Sequence, residues 1–208
     1  MPLNADKLTD YHGEFLVKTA RLAISSYLRE KIKIPIPKNT PKILLEKAGV
    51  FVTLNKLVKR HETLRGCIGY IYPIKPLIEA TIETAIAAAT EDPRFPPVSL
   101  EEMNSIIVEI TVLTPPKKIE VDAPEEYLDK IVIGRDGLLL KYGVFSGTLL
   151  PQVPIEYGWD VETFLDNLCM KAGLPIRCWK NLEVEIYSYQ GIIWKEEAPG
   201  GKVIRVKL

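Results

Sequence analysis

A chain of 208 residues, 47% hydrophobic and 26% charged, is long enough to bury one large core or two small lobes, and its composition excludes wholesale disorder. No run of about 18 apolar residues and no charged, apolar and small leader appears, so neither membrane spanning nor secretion is expected and the cytoplasm is the expected compartment. Cations and anions balance at 27 each, yet residues 1–65 hold 13 and 6 while residues 66–208 hold 14 and 21, a split that fits a basic face for an anionic partner, a homodimer of oppositely charged faces, or an ordinary solvated surface.

A helix is predicted over residues 7–31, with Tyr11, Phe15, Leu22, Ala23 and Tyr27 as its apolar stripe. Pro35, Pro37 and Pro41 end it in an extended connector. Val50-Phe51-Val52-Thr53-Leu54 reads as a strand, polar residues 57–63 as an exposed loop, and residues 64–70 as a second strand antiparallel to the first. A helix carrying Ile78, Ile82, Ala85, Ile86 and Ala89 follows Pro76 and stops at Asp92-Pro93-Arg94-Phe95-Pro96-Pro97. Ser99 with Glu102 forms a capping-box pattern, and residues 106–113 form the clearest strand.

The second half repeats the order. Ile131-Val132-Ile133 and Leu138-Leu139-Leu140 flank an Arg135-Asp136-Gly137 turn, Asp160 caps a helix with Phe164, Leu165, Leu168 and Cys169, and residues 182–189 form a strand. Strand, strand, helix, strand thus occurs twice, and both closing strands contain Val-Glu-Ile, at residues 108–110 and 184–186. An α+β fold is the expectation; an internal duplication is one reading of the repeated order, and the commonness of Val and Ile in any strand is the other.

For chemistry, strand alternation places Arg65, Cys67 and Gly69 on one face and Gly66 on the other. Glycines inside a strand mark a close approach of a ligand or of another backbone. One reading is a cleft floored by Gly66 and Gly69, with Arg65 for an anionic group and for lowering the pKa of a reactive Cys67. The other is a crowded strand crossing with Cys67 as a small buried hydrophobe. The histidines, His12 and His61, give Cys67 no evident base. Glu109, amid Ile107 and Ile110, either faces a polar cleft with Arg65 or Arg94 or lies at a wet strand edge. Gln152, between Pro151 and Val153-Pro154, is a donor and acceptor on a restrained backbone, or simply part of a turn. Cys67, Cys169 and Cys178 make an odd count without paired spacing, which argues against a disulfide framework and a thiolate zinc site. No metal site is expected, and Gly66-Cys67-Ile68-Gly69 lacks the Lys-Ser/Thr of a phosphate loop.

Leu64-Arg65-Gly66-Cys67-Ile68-Gly69 resembles the hallmark of the AMMECR domain family. Gly49-Val50-Phe51-Val52-Thr53-Leu54, Asp92-Pro93-Arg94-Phe95, Ile133-Gly134-Arg135-Asp136-Gly137-Leu138, Leu150-Pro151-Gln152-Val153 and Lys171-Ala172-Gly173-Leu174 follow that family's order across nearly the whole chain. The resemblance implies a single-domain member of archaeal or bacterial type. It also implies two repeats around a barrel-like sheet, with lobes at residues 45–115 and at 1–44 plus 116–208. It implies no settled reaction and no known cofactor; by association it implies a Memo-type or radical S-adenosylmethionine protein as partner. The expected site joins Cys67 and Glu109 as catalytic groups to Arg65, Gly66, Gly69, Arg94 and Gln152 as contacts for a small anionic or modified substrate. The alternatives are a nucleic-acid module using Arg29, Lys31, Lys33, Lys59 and Arg60, and an adaptor without chemistry.

Overall fold

The computed structural model describes residue 3 and residues 7–207. Its elements are α1 (Asp10–Glu30), β1 (Gly49–Val58), β2 (His61–Tyr70), α2 (Leu77–Thr90), β3 (Ile106–Leu113), β4 (Lys117–Lys118), α3 (Glu126–Lys130), β5 (Gly137–Tyr142), β6 (Phe145–Leu149), α4 (Val153–Tyr157), α5 (Val161–Lys171), β7 (Glu185–Tyr189), β8 (Gly191–Glu196) and β9 (Val203–Val206). The fold is α+β. A five-stranded sheet runs β2-β1-β3-β8-β9 and a four-stranded sheet β4-β7-β5-β6. Two compact units result, one of Met1–Thr114 with Ile192–Lys207 and one of Pro115–Gly191.

In the first unit, Val50, Val52, Leu54, Val108, Ile110 and Val112 form the sheet face that packs on both long helices. The buried face of α1 is Gly13, Leu16, Val17, Ala20, Ala23 and Ile24, spaced at three and four residues as a core-facing stripe must be. The expected stripe is corrected in part: Ala23 is buried and Phe15 and Tyr27 pack against the core, but Tyr11 and Leu22 are 60% and 55% exposed, because the line of closest approach runs through small residues. A Cβ at Gly13 would lie 2.2 Å from the Trp194 ring. This packing puts α1 with the hallmark repeat, whereas the lobe boundaries drawn from sequence had grouped residues 1–44 with 116–208. Residues 57–63 are not a loop either. β1 continues to Val58 and β2 starts at His61, leaving Lys59 and Arg60 as a two-residue turn, both at positive φ (47° and 73°).

The second unit centres on β5, which pairs antiparallel with β6 and β7. Residues 131–133 form no strand. The Asp136 carboxylate accepts the Val132 amide (2.9 Å) and pairs with Arg135, closing a turn whose positive φ falls on Gly134 (81°). Asp160 caps α5 by accepting the Thr163 amide at 2.8 Å. Cys169 and Cys178 form a disulfide, which corrects the expectation from the odd cysteine count: one pair closes and Cys67 stays free. Closing a loop of about ten residues stabilises the fold by roughly 2.5–3 kcal/mol through the unfolded chain.

The duplication is visible in register. β2-β1-β3 and β6-β5-β7 share one order, and Leu54 faces Gly66 and Val108 as Leu140 faces Gly147 and Ile186. Both glycines lie under the helix of their own repeat. A Cβ would come 2.1 Å from the Ala88 carbonyl at Gly66, and 2.6 Å from the Ala172 amide nitrogen at Gly147. The shared Val-Glu-Ile is not part of the equivalence: Ile186 takes the place of Val108, so Glu109 corresponds to Tyr187. The expected strand at 182–189 begins at Glu185, and β8 and β9, unforeseen in the sequence, return the chain to the first sheet.

Candidate functional site

The hallmark segment lies in β2, an edge strand of the five-stranded sheet. An edge leaves backbone groups without partners, and here residues 92–97 supply them. Asp92 Oδ2 accepts the Cys67 amide at 2.8 Å, and Arg94 Nη2 reaches the Cys67 carbonyl at 3.5 Å. Asp92 also accepts the Arg94 amide (3.1 Å) and holds its guanidinium through both oxygens, at 2.9 and 2.6 Å. The Arg94 side-chain hydrogen bonds, helped by the amides of Cys67 and Arg94, hold the buried Asp92 carboxyl down to about 2 against the opposing effect of burial.

Arg65 sits at a β-bulge: the register shifts between Leu54 and Asn55, so that Asn55 faces Leu64 and Arg65 is the extra residue. Its guanidinium binds Glu102 through both oxygens (2.9 and 3.1 Å) and the Pro96 carbonyl at 2.9 Å. Arg65, joined by Lys56, holds Glu102 down to about 2 against burial. The Ser99 hydroxyl does accept the Glu102 amide at 3.1 Å, but the Glu102 side chain serves these cations. The Phe95 ring has Arg65 at 5.8 Å and Arg94 at 5.5 Å from its centroid. Two motifs distant in sequence thus interlock into one unit.

The glycines bring main chain close to the protein itself. Gly66 meets α2, as above, and a Cβ at Gly69 would be 2.3 Å from the Phe51 ring.

On the sheet face turned away from α1 and α2, Thr53 stands opposite Cys67 in β2 and opposite Glu109 in β3. The three side chains emerge abreast, Cys67 and Glu109 separated by two strand spacings, about 9.5 Å. The Thr53 hydroxyl donates to Cys67 Sγ at 3.3 Å. Two residues along β3, Thr111 is fully buried on the same face, with no hydrogen-bond partner for Oγ1 among the described residues. Burial pushes the Cys67 thiol above its ordinary 9.0; Thr53 and the Arg94 charge pull it down, while Glu109 and Asp92 push it up. The cation acting on this thiol is Arg94, not Arg65, and burial outweighs it, so the thiol is protonated at neutral pH.

The first unit therefore brings together Cys67, Glu109 and Arg94, with Arg65, Gly66 and Gly69 alongside. Gln152 belongs to the second unit, where it is buried before α4 and its carbonyl accepts the Glu156 amide at 3.0 Å. Of the histidines, His12 Nδ1 accepts the Thr9 amide at 3.0 Å and His61 is exposed beside the β1–β2 turn. Among the basic residues, Lys33 pairs with Glu83 at 2.6 Å and Lys31 lies 5.5 Å from the Tyr27 centroid. No cluster of His, Cys, Asp and Glu among the described residues has the makings of a metal site, and none of their helices is long and apolar enough to cross a membrane. Thr53, Asp92, Glu102 and Thr111 were missed. Thr53 and Thr111 carried one faint signal, a hydroxyl flanked on both sides by apolar residues.

The AMMECR1 family profile matches residues 17–194. Protein PYRAB00100 of Pyrococcus abyssi is 55% identical over 97% of this chain and 98% of its own length, and Protein MJ0810 of Methanocaldococcus jannaschii is 54% identical over the same shares. The crystal structure of uncharacterized protein PH0010 from Pyrococcus horikoshii superposes with a TM-score of 0.94 at 52% identity, covering 97% of this chain and 100% of that one. A match over most of the chain in profile, sequence and fold makes this protein a member of the AMMECR1 family.

Proposed function

We propose that the face bearing Cys67, Thr53 and Glu109 is the floor of a binding site for a small molecule with an anionic group. The single observation that supports this is the row itself: a thiol, a hydroxyl and a carboxylate abreast on the sheet face opposite α1 and α2, with a guanidinium beside them. Arg94, whose side chain is 44% exposed, keeps a free flank for the anionic group while Asp92 fixes its position. Glu109 is the group for proton transfer or for a hydrogen bond to a donor on the ligand. Cys67, being protonated, is a soft neutral contact in the resting protein. Gln152 takes no part in this reading. Arg65, bound to Glu102 and to main-chain carbonyls, acts by positioning β2.

The test is an unbiased metabolite-binding screen on the wild type, Glu109→Gln and Thr53→Val. A retained ligand should bind Glu109→Gln at least about tenfold more weakly, since a hydrogen bond to a charged group is worth roughly 1.5–3 kcal/mol. Equal binding by all three proteins would place the site elsewhere.

A further inference from the structure

At the far side of the same sheet from the hallmark, β9 is the other edge strand. The single contact that fixes its pairing phase is the Glu197 amide donating to the Lys202 carbonyl at 2.8 Å. In an antiparallel ladder, hydrogen-bonded pairs alternate with non-bonded pairs. Lys195 with Ile204 and Ile193 with Val206, two and four steps further along the register, are then the bonded pairs. Val203 and Arg205 turn their amides and carbonyls outward, and among the described residues these meet no hydrogen-bond partner.

Beside this edge lies an open cavity of about 700 Å³, lined by Asp10 and residues 202–207. Its walls carry Lys202, Arg205 and Lys207 against one carboxylate, Asp10, and that carboxylate already accepts the Trp194 indole N–H at 3.1 Å. Neither Lys202 nor Lys207 has an ion pair among the described residues. The Arg205 guanidinium lies 5.8 Å from the Trp194 centroid, which fixes it on the α1 side of the sheet. Val203, Ile204 and Val206, each half-buried, lie between these cations.

Lysine and arginine on an edge strand often serve only to repel other strands. The cavity distinguishes this edge, because it leaves room beside the free backbone groups for the side chains of an added strand. The charge chooses the occupant. A second copy of β9 would set Arg205 and Lys207 against their own kind, whereas an extended segment with acidic side chains at alternate positions would meet them favourably.

We propose that the outer edge of β9 docks an extended acidic segment of a partner protein by strand addition. Main-chain hydrogen bonds to Val203 and Arg205 supply the affinity. Arg205 and Lys207 supply the selection by charge.

The probe is a capped hexapeptide alternating glutamate and valine, titrated into the full chain while amide hydrogen exchange is read by NMR. The expected result is saturable binding that slows exchange at the Val203 and Arg205 amides and weakens at about 1 M salt, where screening acts within about 3 Å. Lys207→Glu, which touches no structural partner, should bind at least about tenfold more weakly, and so should Arg205→Glu if its melting curve matches the wild type. No binding, protection confined to other amides, or equal binding of a lysine–valine peptide would each overturn the proposal. Concentration-dependent protection of the same two amides without peptide would overturn it in favour of a second copy.

Discussion

Asp92 shows how much rests on one carboxylate: it carries the Cys67 amide, the Arg94 amide and the Arg94 guanidinium on two oxygens. Its ordinary pKa of 3.8 falls to about 2 in the folded protein. A depressed carboxyl contributes stability that is complete above the unfolded value and is lost as pH falls through the folded one. Asp92→Asn should therefore lower stability by about 2–3 kcal/mol at pH 7, as expected for a buried charged hydrogen-bond hub. In urea unfolding, its deficit relative to wild type should shrink as pH drops through 3.8 towards about 2; a deficit that is constant across that window contradicts the assignment. At this scale the sequence was informative about parity and silent about partners. Alternation correctly placed Cys67 and Gly69 on one face, but no rule of alternation foresees the bulge that sets Arg65 aside. Nor does spacing reveal that Gly66 makes room for Ala88 rather than for a ligand.

Among the elements, the β1–β2 hairpin departs furthest from local preference. A two-residue turn at positive φ favours Asn-Gly, and here it is built from Lys59-Arg60. Non-glycine residues in that region cost on the order of 1 kcal/mol or more each. The double substitution Lys59→Asn and Arg60→Gly should therefore stabilise the protein by about 1–2 kcal/mol, measured as a higher urea midpoint with an unchanged slope. An unchanged or lower midpoint would show that the native side chains stabilise the turn in a way the backbone does not reveal. The same mismatch explains why residues 57–63 read as a loop, since turn chemistry was absent where the turn is. α1 misled for a different reason. Its length was legible from the flanking prolines, but its core face runs through Gly13 and alanines, whose hydrophobic signal is weaker than that of the exposed Tyr11 and Leu22.

For the whole molecule, the duplicated order of strands and helices was legible, because each repeat carries its own apolar strands and its own helix. The return of β8 and β9 to the first sheet was not, because pairing between segments so far apart leaves no local trace. The two repeats share a scaffold but not a chemistry. The places held by Cys67, Thr53 and Glu109 in the first are held by Thr148, Leu139 and Tyr187 in the second. In the first row the Cys67 thiol feels both of its neighbours, Thr53 and Glu109. Cys67 is the protein's free cysteine, so the pH dependence of its alkylation by iodoacetamide reports on this one position. The wild-type midpoint should lie above the ordinary 9.0, Glu109→Gln should lower it by removing a charge that opposes the thiolate, and Thr53→Val should raise it by removing a donor to sulfur. A wild-type midpoint below 9.0, or one that neither substitution moves, would contradict the account.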